Sequence, residues 1–131
     1  MVTAIIVDTS ALFALLDASD QNNASAARAW HNLADDDLVV HGYVVAEAMA
    51  LVRSRIGWPA ASTLIDDLLP RLRVEMVERH VHDAAVADYR SLAGGTSFVD
   101  RVTIAFAREN GITRCFAFDP DLTVAGLKPV A

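Results

Sequence analysis

The stretch that decides the fold is Thr3-Ala4-Ile5-Ile6-Val7-Asp8-Thr9-Ser10, in which four apolar residues run directly into a carboxylate and two hydroxyls. A short, continuous, β-branched apolar run is typical of a strand buried on both faces of a sheet. Asp8 would then stand at the carboxyl end of that strand, where open parallel sheets hold their functional sites. Alternatively, Asp8 is only part of a helix cap, since Thr9 and Ser10 are good N-cap residues for a helix over 11–16.

Further along the chain, short apolar strands alternate with helices. Further strands are predicted at 38–41, 73–77, 114–118 and 127–130, and further helices at 24–33, 44–53, 60–69, 82–92 and 98–110. Gly42 is expected to break the second strand before the next helix, and Gly57 and Gly111 are expected to end helices. This alternation predicts an α/β fold with a mainly parallel, short-stranded sheet and helices on both faces. We expect one domain over residues 1–131.

Composition and charge limit the classes of function. Hydrophobic residues make up 53% of the chain and charged residues 21%, which is enough apolar sequence for a substantial core. The formal net charge of −6 and the lack of a Lys/Arg run argue against binding nucleic acid by charge alone. Cys115 is the only cysteine and cannot form an internal disulfide, so we expect a reducing, cytoplasmic location. No apolar run approaches the roughly 20 residues of a membrane span, and no membrane partner is expected.

Four acidic residues occupy similar positions in this pattern. Asp8 and Asp119 each follow a predicted strand, and Glu47 and Asp100 each lie in the first turns of a predicted helix. Because parallel strands end at the same edge of a sheet, the four carboxylates are expected to converge on one cleft. Without a counter-charge such a cluster is strongly repulsive. Its natural counter-ion is a hard divalent cation, Mg²⁺ or Mn²⁺, which drives phosphodiester hydrolysis in such sites.

Each acid also has a structural interpretation. Asp8 and Asp100 could serve as helix caps, and Asp119 could be a turn residue before a proline. Glu47 could pair with an arginine further along its own helix, namely Arg53 or Arg55. Two other conspicuous residue types favour structural roles: His41 is expected in the core or at its rim, and Trp30 and Trp58 in packing or an interface.

Four motifs together resemble the PIN domain: Val7-Asp8-Thr9-Ser10, Val44-Val45-Ala46-Glu47, Thr96-Ser97-Phe98-Val99-Asp100 and Ala117-Phe118-Asp119-Pro120-Asp121. The chain length and helix order resemble those of the VapC toxins of type II toxin–antitoxin pairs. Each motif alone is weak, but the order and spacing of the four acids over the whole chain are specific. The resemblance implies a three-layer PIN fold and a Mg²⁺-dependent endoribonuclease, with Mn²⁺ as a substitute.

The resemblance also implies roles for individual residues. The catalytic acids would be Asp8, Glu47, Asp100 and Asp119; Asp8 and Asp100 would bind the metal, and Glu47 and Asp119 are candidate further ligands. Supporting residues would be Thr9, Ser10, Ser97 and Asp121, and either Asp119 or Asp121 could be the fourth acid. Arginines close in sequence to these acids are candidates for RNA phosphate contacts, namely Arg53, Arg55 and Arg101. Leu122 departs from the family pattern, because many relatives carry an aromatic there, and only packing should be affected.

The partners implied by the resemblance are RNA, a small VapB-like antitoxin and a second copy of the chain. Two other classes of function compete with this interpretation. One is a PIN-like structure-specific DNase or a scaffold that binds RNA without cutting it. The other is a receiver-like phosphoacceptor domain, which the sequence disfavours because Glu78 rather than an aspartate follows the third strand and little chain follows Lys128.

Overall fold

A parallel sheet forms the centre of the protein in the computed structural model, which describes residues 3–93 and 95–131. Within these residues the sheet has five strands: β1 Ile5–Val7, β2 Leu38–His41, β3 Arg73–Glu75, β4 Arg114–Phe116 and β5 Lys128–Pro129. Their order is β3-β2-β1-β4-β5, and every neighbouring pair is parallel. The helices are α1 Thr9–Leu16, α2 Asn23–Asn32, α3 Gly42–Arg55, α4 Trp58–Thr63, α5 Arg79–Ser91, α6 Phe98–Glu109 and α7 Pro120–Val124.

Strand β1 joins two hydrophobic cores on opposite faces of the sheet. Ile5 and Val7 pack into the core that α1 to α4 cover, whereas Ile6 points into the core that α5 and α6 cover. The alternation follows from the two-residue period of a strand. The predicted three-layer α/β fold is therefore confirmed. None of the described helices has the length and apolar character needed to cross a membrane.

Helices α1 to α5 each begin one to three residues earlier than predicted, and at α1 and α3 a side-chain cap accounts for the difference. Helix α1 begins at Thr9 rather than at residue 11, and Asp8 is its N-cap, because the Asp8 side chain accepts a hydrogen bond from the Ser10 backbone N–H. Gly42 directly follows the end of β2, as predicted, and is itself the first residue of α3. The cap there is His41, whose ring accepts from the next backbone N–H groups, so β2 leads directly into the helix.

Two other elements were predicted incompletely. The helix predicted at 60–69 is α4 followed by a π-helical turn over Leu64–Leu68 and a 3₁₀ turn over Leu69–Arg71. Helix α7 was not predicted, although Pro120 is a favourable first helical residue. Gly57 does follow the end of α3 as predicted: its φ is 109° and its N–H donates to the Val52 carbonyl. Gly111 follows α6 in the same way, with φ 65°.

Candidate functional site

Three aspartates converge at the carboxyl edge of the sheet. Asp8 directly follows β1, Asp119 follows the adjacent parallel strand β4, and Asp100 lies in the first turn of α6. Each offers a carboxylate oxygen, and these oxygens all lie within 4.8 Å of one another. We call these three residues the Asp trio. Their convergence follows from the topology, because β1 and β4 are neighbours that end at the same edge.

Ser10 ties two members of the trio together. Its Oγ donates to Asp8 Oδ2 at 2.7 Å and accepts from the Phe118 backbone N–H at 2.9 Å. Phe118 immediately precedes Asp119, so one hydroxyl links the Asp8 carboxylate to the segment that carries the neighbouring acid. The backbone N–H of Asp8 also donates to the Phe116 carbonyl at 3.0 Å. These bonds fix how the two strand ends lie side by side.

Capping and clustering are compatible in this site. Asp8 caps α1 through Oδ2, and Asp119 caps α7 by accepting the Asp121 backbone N–H at its Oδ1. Each therefore keeps its second oxygen for another partner. Asp100 is not itself the cap of α6, since Ser97 Oγ accepts the Asp100 backbone N–H at 3.1 Å, as predicted for Ser97.

Two members of the trio are buried and Asp119 is half-buried, and the cluster is electrostatically unfavourable without a cation. Asp8 is 3% exposed and Asp100 is 6% exposed. Burial, the contact with Asp119 and the charges of Asp119 and Asp8 together raise the pKa of Asp100 to about 7. Burial also raises the pKa of Asp8, against the lowering effect of its hydrogen bonds from Ser10. Within residues 3–93 and 95–131, no Lys, Arg or His forms a salt bridge with the trio.

The donor set fits a hard divalent cation. Carboxylate oxygens are the ligands that Mg²⁺ and Mn²⁺ prefer. A cation would also relieve the repulsion that raises the pKa of Asp100. Beside the trio, the buried Thr9 hydroxyl has no hydrogen-bond partner in the described part of the chain, although such groups are normally satisfied. The residues therefore fit a metal site.

The trio lies in a cleft of about 510 Å³. The other predicted site residues that line this cleft are Thr9, Ser10, Glu47, Arg55, Ser97 and Asp121. Five lining residues were not predicted: Phe13, Asp20, Asn22, Leu51 and Phe118. Besides the acids of the trio the cleft thus contains apolar, amide and guanidinium groups, and one further carboxylate, Asp20, lies beside Asn22.

A family model described as the PIN domain matches residues 5–127. The chain belongs to the PIN domain family.

Similar proteins support this assignment over nearly the whole chain. This chain is 32% identical over 132 residues to the 23S rRNA-specific endonuclease VapC20 of Mycobacterium tuberculosis. The match covers 96% of this chain and 97% of the relative. The crystal structure of M. tuberculosis VapC20, described as a sarcin–ricin loop cleaving toxin, matches with a TM-score of 0.83 and 30% identity over 94% of this chain and 95% of that one. The predicted resemblance to PIN-domain nucleases of the VapC type is therefore confirmed.

A more distant solved structure agrees in fold alone. PAE2754 from Pyrobaculum aerophilum matches with a TM-score of 0.69 and 20% identity, over 98% of this chain and 90% of that one. At this identity the similarity supports the fold and nothing finer.

Glu47 lies in the cleft of the PIN domain but outside the Asp trio. It is the sixth residue of α3, in the second turn of the helix. Among the described residues it forms no salt bridge, so the alternative pairing with Arg53 or Arg55 is not observed. From this position the Glu47 carboxylate can contact a ligand bound in the cleft, although it is not a member of the trio.

The three predicted RNA-contacting arginines differ in position. Arg55 lines the cleft, whereas neither of the other two does. The Arg53 guanidinium lies 5.8 Å from the centroid of the Trp58 ring, and Arg101 donates from Nε to the Thr96 hydroxyl.

His41 belongs to the core of the PIN domain, in agreement with its predicted structural role. Its Nδ1 accepts from the Tyr43 and Val44 backbone N–H groups, so its Nε2 carries the proton and donates to Thr103 Oγ1 at 2.8 Å. Burial lowers the pKa of His41 to about 4. The ring is therefore neutral near pH 7 and serves as a cap.

Proposed function

We propose that this PIN domain is a metal-dependent endoribonuclease and the toxin of a type II toxin–antitoxin pair. The observation that carries the proposal is the Asp trio: three carboxylates held within 4.8 Å, with no basic side chain paired to them in the described residues. Similarity to VapC20 over 96% of the chain supports the same reaction class.

Mg²⁺ is the proposed cofactor, with Mn²⁺ able to replace it. Asp8, Asp100 and Asp119 would hold it, and Asp119 rather than Asp121 is the proposed fourth acid of the family set, because Asp119 belongs to the trio. When bound, such an ion supplies Lewis-acid polarisation of the phosphate and lowers the pKa of water at the site. Glu47 is the proposed catalytic carboxylate outside the trio and acts from the second turn of α3 as an acceptor of hydrogen bonds in the cleft.

The supporting residues hold the acids in place. Ser10 orients Asp8 and links it to the segment before Asp119, and Ser97 fixes the start of α6 next to Asp100. Thr9 is the proposed further hydroxyl of the site, because its buried oxygen has no partner among the described residues. Asp121 contributes its backbone N–H to the Asp119 carboxylate.

Arg55 is the proposed phosphate contact within the cleft. Its guanidinium forms no ion pair with the residues that the structure describes, so its charge is available to RNA. Arg53 and Arg101 are proposed to contact RNA only outside the cleft, since they do not line it.

The proposed substrate is loop or single-stranded RNA, because unstacked bases are the ones that proteins read by sequence. The relative's description as a 23S rRNA-specific, sarcin–ricin loop cleaving toxin makes an RNA hairpin with that loop the first substrate to test. We further propose a cytoplasmic homodimer of one-domain chains over residues 1–131. Its partner would be a small VapB-like antitoxin whose basic or aromatic tail covers the acidic cleft.

Cleavage assays test the proposal. We expect purified protein to cut the hairpin RNA with Mg²⁺ or Mn²⁺, to stop in excess chelator and to recover when metal is added back. Asp119→Asn should lose cleavage by orders of magnitude, while the exposed control Asp35→Asn should match the parent protein. Undiminished cleavage in chelator would refute the metal role. Cleavage of flap DNA but not RNA would favour a DNase, and binding without cleavage would favour a scaffold.

A further inference from the structure

We propose that the end of the cleft away from the Asp trio is a base-recognition pocket in which the Asn22 side chain reads one nucleotide of the RNA. The inference rests on the proposed ribonuclease function. It assigns to this RNA substrate a part of the cleft that the Asp trio does not occupy.

One wall of the pocket is a stripe along α3. Glu47, Leu51 and Arg55 follow one another at four-residue spacing and all line the cleft. Residues at this spacing lie on one helix face, and eight residues span about 12 Å of helix. The stripe therefore runs from a carboxylate near the trio, past an apolar side chain, to a guanidinium at the far end.

Leu51 presents its side chain to the cleft rather than to the protein interior. It is partly exposed, and it is absent from the two hydrophobic cores and from the described residues packed against them. A partly exposed leucine within a polar cleft offers an apolar surface to a ligand. Phe13 lines the same cleft and is also partly exposed, so a planar group has an aromatic and an aliphatic surface to contact.

The connection between α1 and α2 provides another, polar wall, because Asp20 and Asn22 line the same cleft. The Asn22 backbone N–H donates to Asp20 Oδ1 at 2.7 Å, which fixes the position of the residue. Asn22 is the N-cap of α2, yet its side chain makes no capping hydrogen bond. The next residue behaves differently: Asn23 Nδ2 donates to the Ala14 carbonyl at 2.8 Å.

The Asn22 amide is thus available to a ligand. Its side chain forms no hydrogen bond with any residue in the described ranges, although it lines the cleft. An amide presents one acceptor and two donors in a plane, which matches the paired donor and acceptor groups on the edge of a base. Stacking surfaces combined with such an edge reader are the usual means of recognising an unstacked base.

The Arg55 guanidinium favours an RNA strand as the occupant of this end of the cleft, whereas the carboxylates also suit the basic tail proposed for the antitoxin. Phosphates can approach the acidic end only with a cation. Arg55 can contact a phosphate further along the same RNA strand. The remaining lining includes the apolar Phe13 and Leu51 and the neutral Asn22 amide, and also the Asp20 carboxylate, which already accepts the Asn22 backbone N–H. The order of groups is therefore metal site, base pocket and phosphate contact along one strand.

The test measures base preference. Hairpin RNA randomised at the positions flanking the cleavage site is cut with Mg²⁺, and the products are sequenced to obtain relative kcat/KM for each base. We expect the parent protein to prefer one base at one position, and Asn22→Ala to reduce that preference about ten- to a hundredfold. Asn22→Asp, which keeps the shape but replaces the donors by a charge, should change which base is preferred. Asn32→Ala, at the exposed end of α2, is the matched control and should keep the parent profile.

A binding measurement separates the two proposals. The affinities of the parent protein and the Asn22 variants for short RNAs that differ at a single base are measured by fluorescence anisotropy in a buffer containing Ca²⁺. A parent protein that binds RNA with a base preference lost in Asn22→Ala but never cuts would refute the nuclease and retain the pocket. A parent protein that cuts RNA while Asn22→Ala keeps every base preference would overturn the pocket, as would the absence of base preference in both assays. Unchanged RNA preference with weakened antitoxin binding would assign this wall to the protein partner and also overturn the proposal.

Discussion

Replacing Asp100 with asparagine should stabilise the metal-free protein while abolishing its activity. In the folded chain the pKa of Asp100 is raised to about 7 from the ordinary 3.8 by burial and by its carboxylate neighbours. The folded state therefore prefers the protonated acid, and this contribution to stability, complete below pH 3.8, is lost as the pH rises towards 7. At pH 8 without metal, the ionised Asp100 opposes folding, whereas an amide of the same shape does not.

The size of the effect follows from the same pKa. A shift from 3.8 to about 7 corresponds to about 4 kcal/mol at 1.36 kcal/mol per pH unit. Because the three carboxylates share the repulsion, we expect Asp100→Asn to gain about 2–4 kcal/mol at pH 8. At pH 4 the parent acid is largely protonated, and the two proteins should have nearly equal free energies of unfolding. In thermal melts the gain at pH 8 is on the order of 10 °C.

The assay combines melts in chelator at pH 4 and pH 8 with melts and cleavage rates in saturating Mg²⁺. Metal should raise the melting temperature of the parent protein, since a ligand stabilises the state that binds it, and should affect Asp100→Asn little. Asp35→Asn removes a charge from an exposed turn and should show neither the pH-dependent gain nor the loss of cleavage. An Asp100→Asn protein that melts lower at pH 8 and cuts RNA at nearly the parent rate would contradict the metal-binding role of Asp100. Asp100 would then only stabilise the start of α6 through its charge.

Three further substitutions probe the supporting structure. Ser10→Ala removes the hydroxyl that bridges Asp8 and Phe118, so we expect about 1–2 kcal/mol less stability and at least tenfold slower cleavage, both measured against Ser10→Thr. His41→Asn keeps an N-cap but removes a ring whose pKa is about 4 when folded. The unfolded chain protonates the His41 ring below about pH 6.5, whereas the folded chain does not. Between pH 7 and pH 4.5 the free energy of unfolding of the parent should therefore fall by about 2–3 kcal/mol more than that of His41→Asn, as measured in urea titrations. Glu47→Gln should slow cleavage at least tenfold without the stability gain of Asp100→Asn, because Glu47 lies outside the trio; parent-like rates would remove it from the catalytic set.

Most of the fold is readable from local patterns. The run Ile5-Ile6-Val7 is β-branched and continuous because both faces of β1 are covered, and this pattern predicts a buried strand before any contact is known. Two of the boundaries that differ from the prediction depend on side chains at element ends. Asp8 and His41 cap their helices and so start them earlier than the apolar periodicity indicates. The π-helical turn over Leu64–Leu68 keeps the same apolar spacing as an α-helix, so the sequence does not distinguish them.

The site was predictable to the extent that topology determines it. Asp8 and Asp119 follow adjacent parallel strands, so their convergence follows from the strand pattern once the sheet order is known. The four-residue spacing of Glu47, Leu51 and Arg55 was a usable signal for the second wall of the cleft. Asn22 carried no such signal, because its place in the cleft depends on how the α1–α2 connection folds back over the sheet edge.

Locating the cation tests the proposed metal site most directly. Crystals of the protein grown with Mn²⁺ give an anomalous difference map in which the ion appears as a peak. We expect a peak within about 2–2.5 Å of carboxylate oxygens of Asp8, Asp100 and Asp119, and no such peak in Asp100→Asn. Protein that cuts RNA in the same Mn²⁺ buffer, but shows no peak among these three carboxylates, would contradict the proposed metal site.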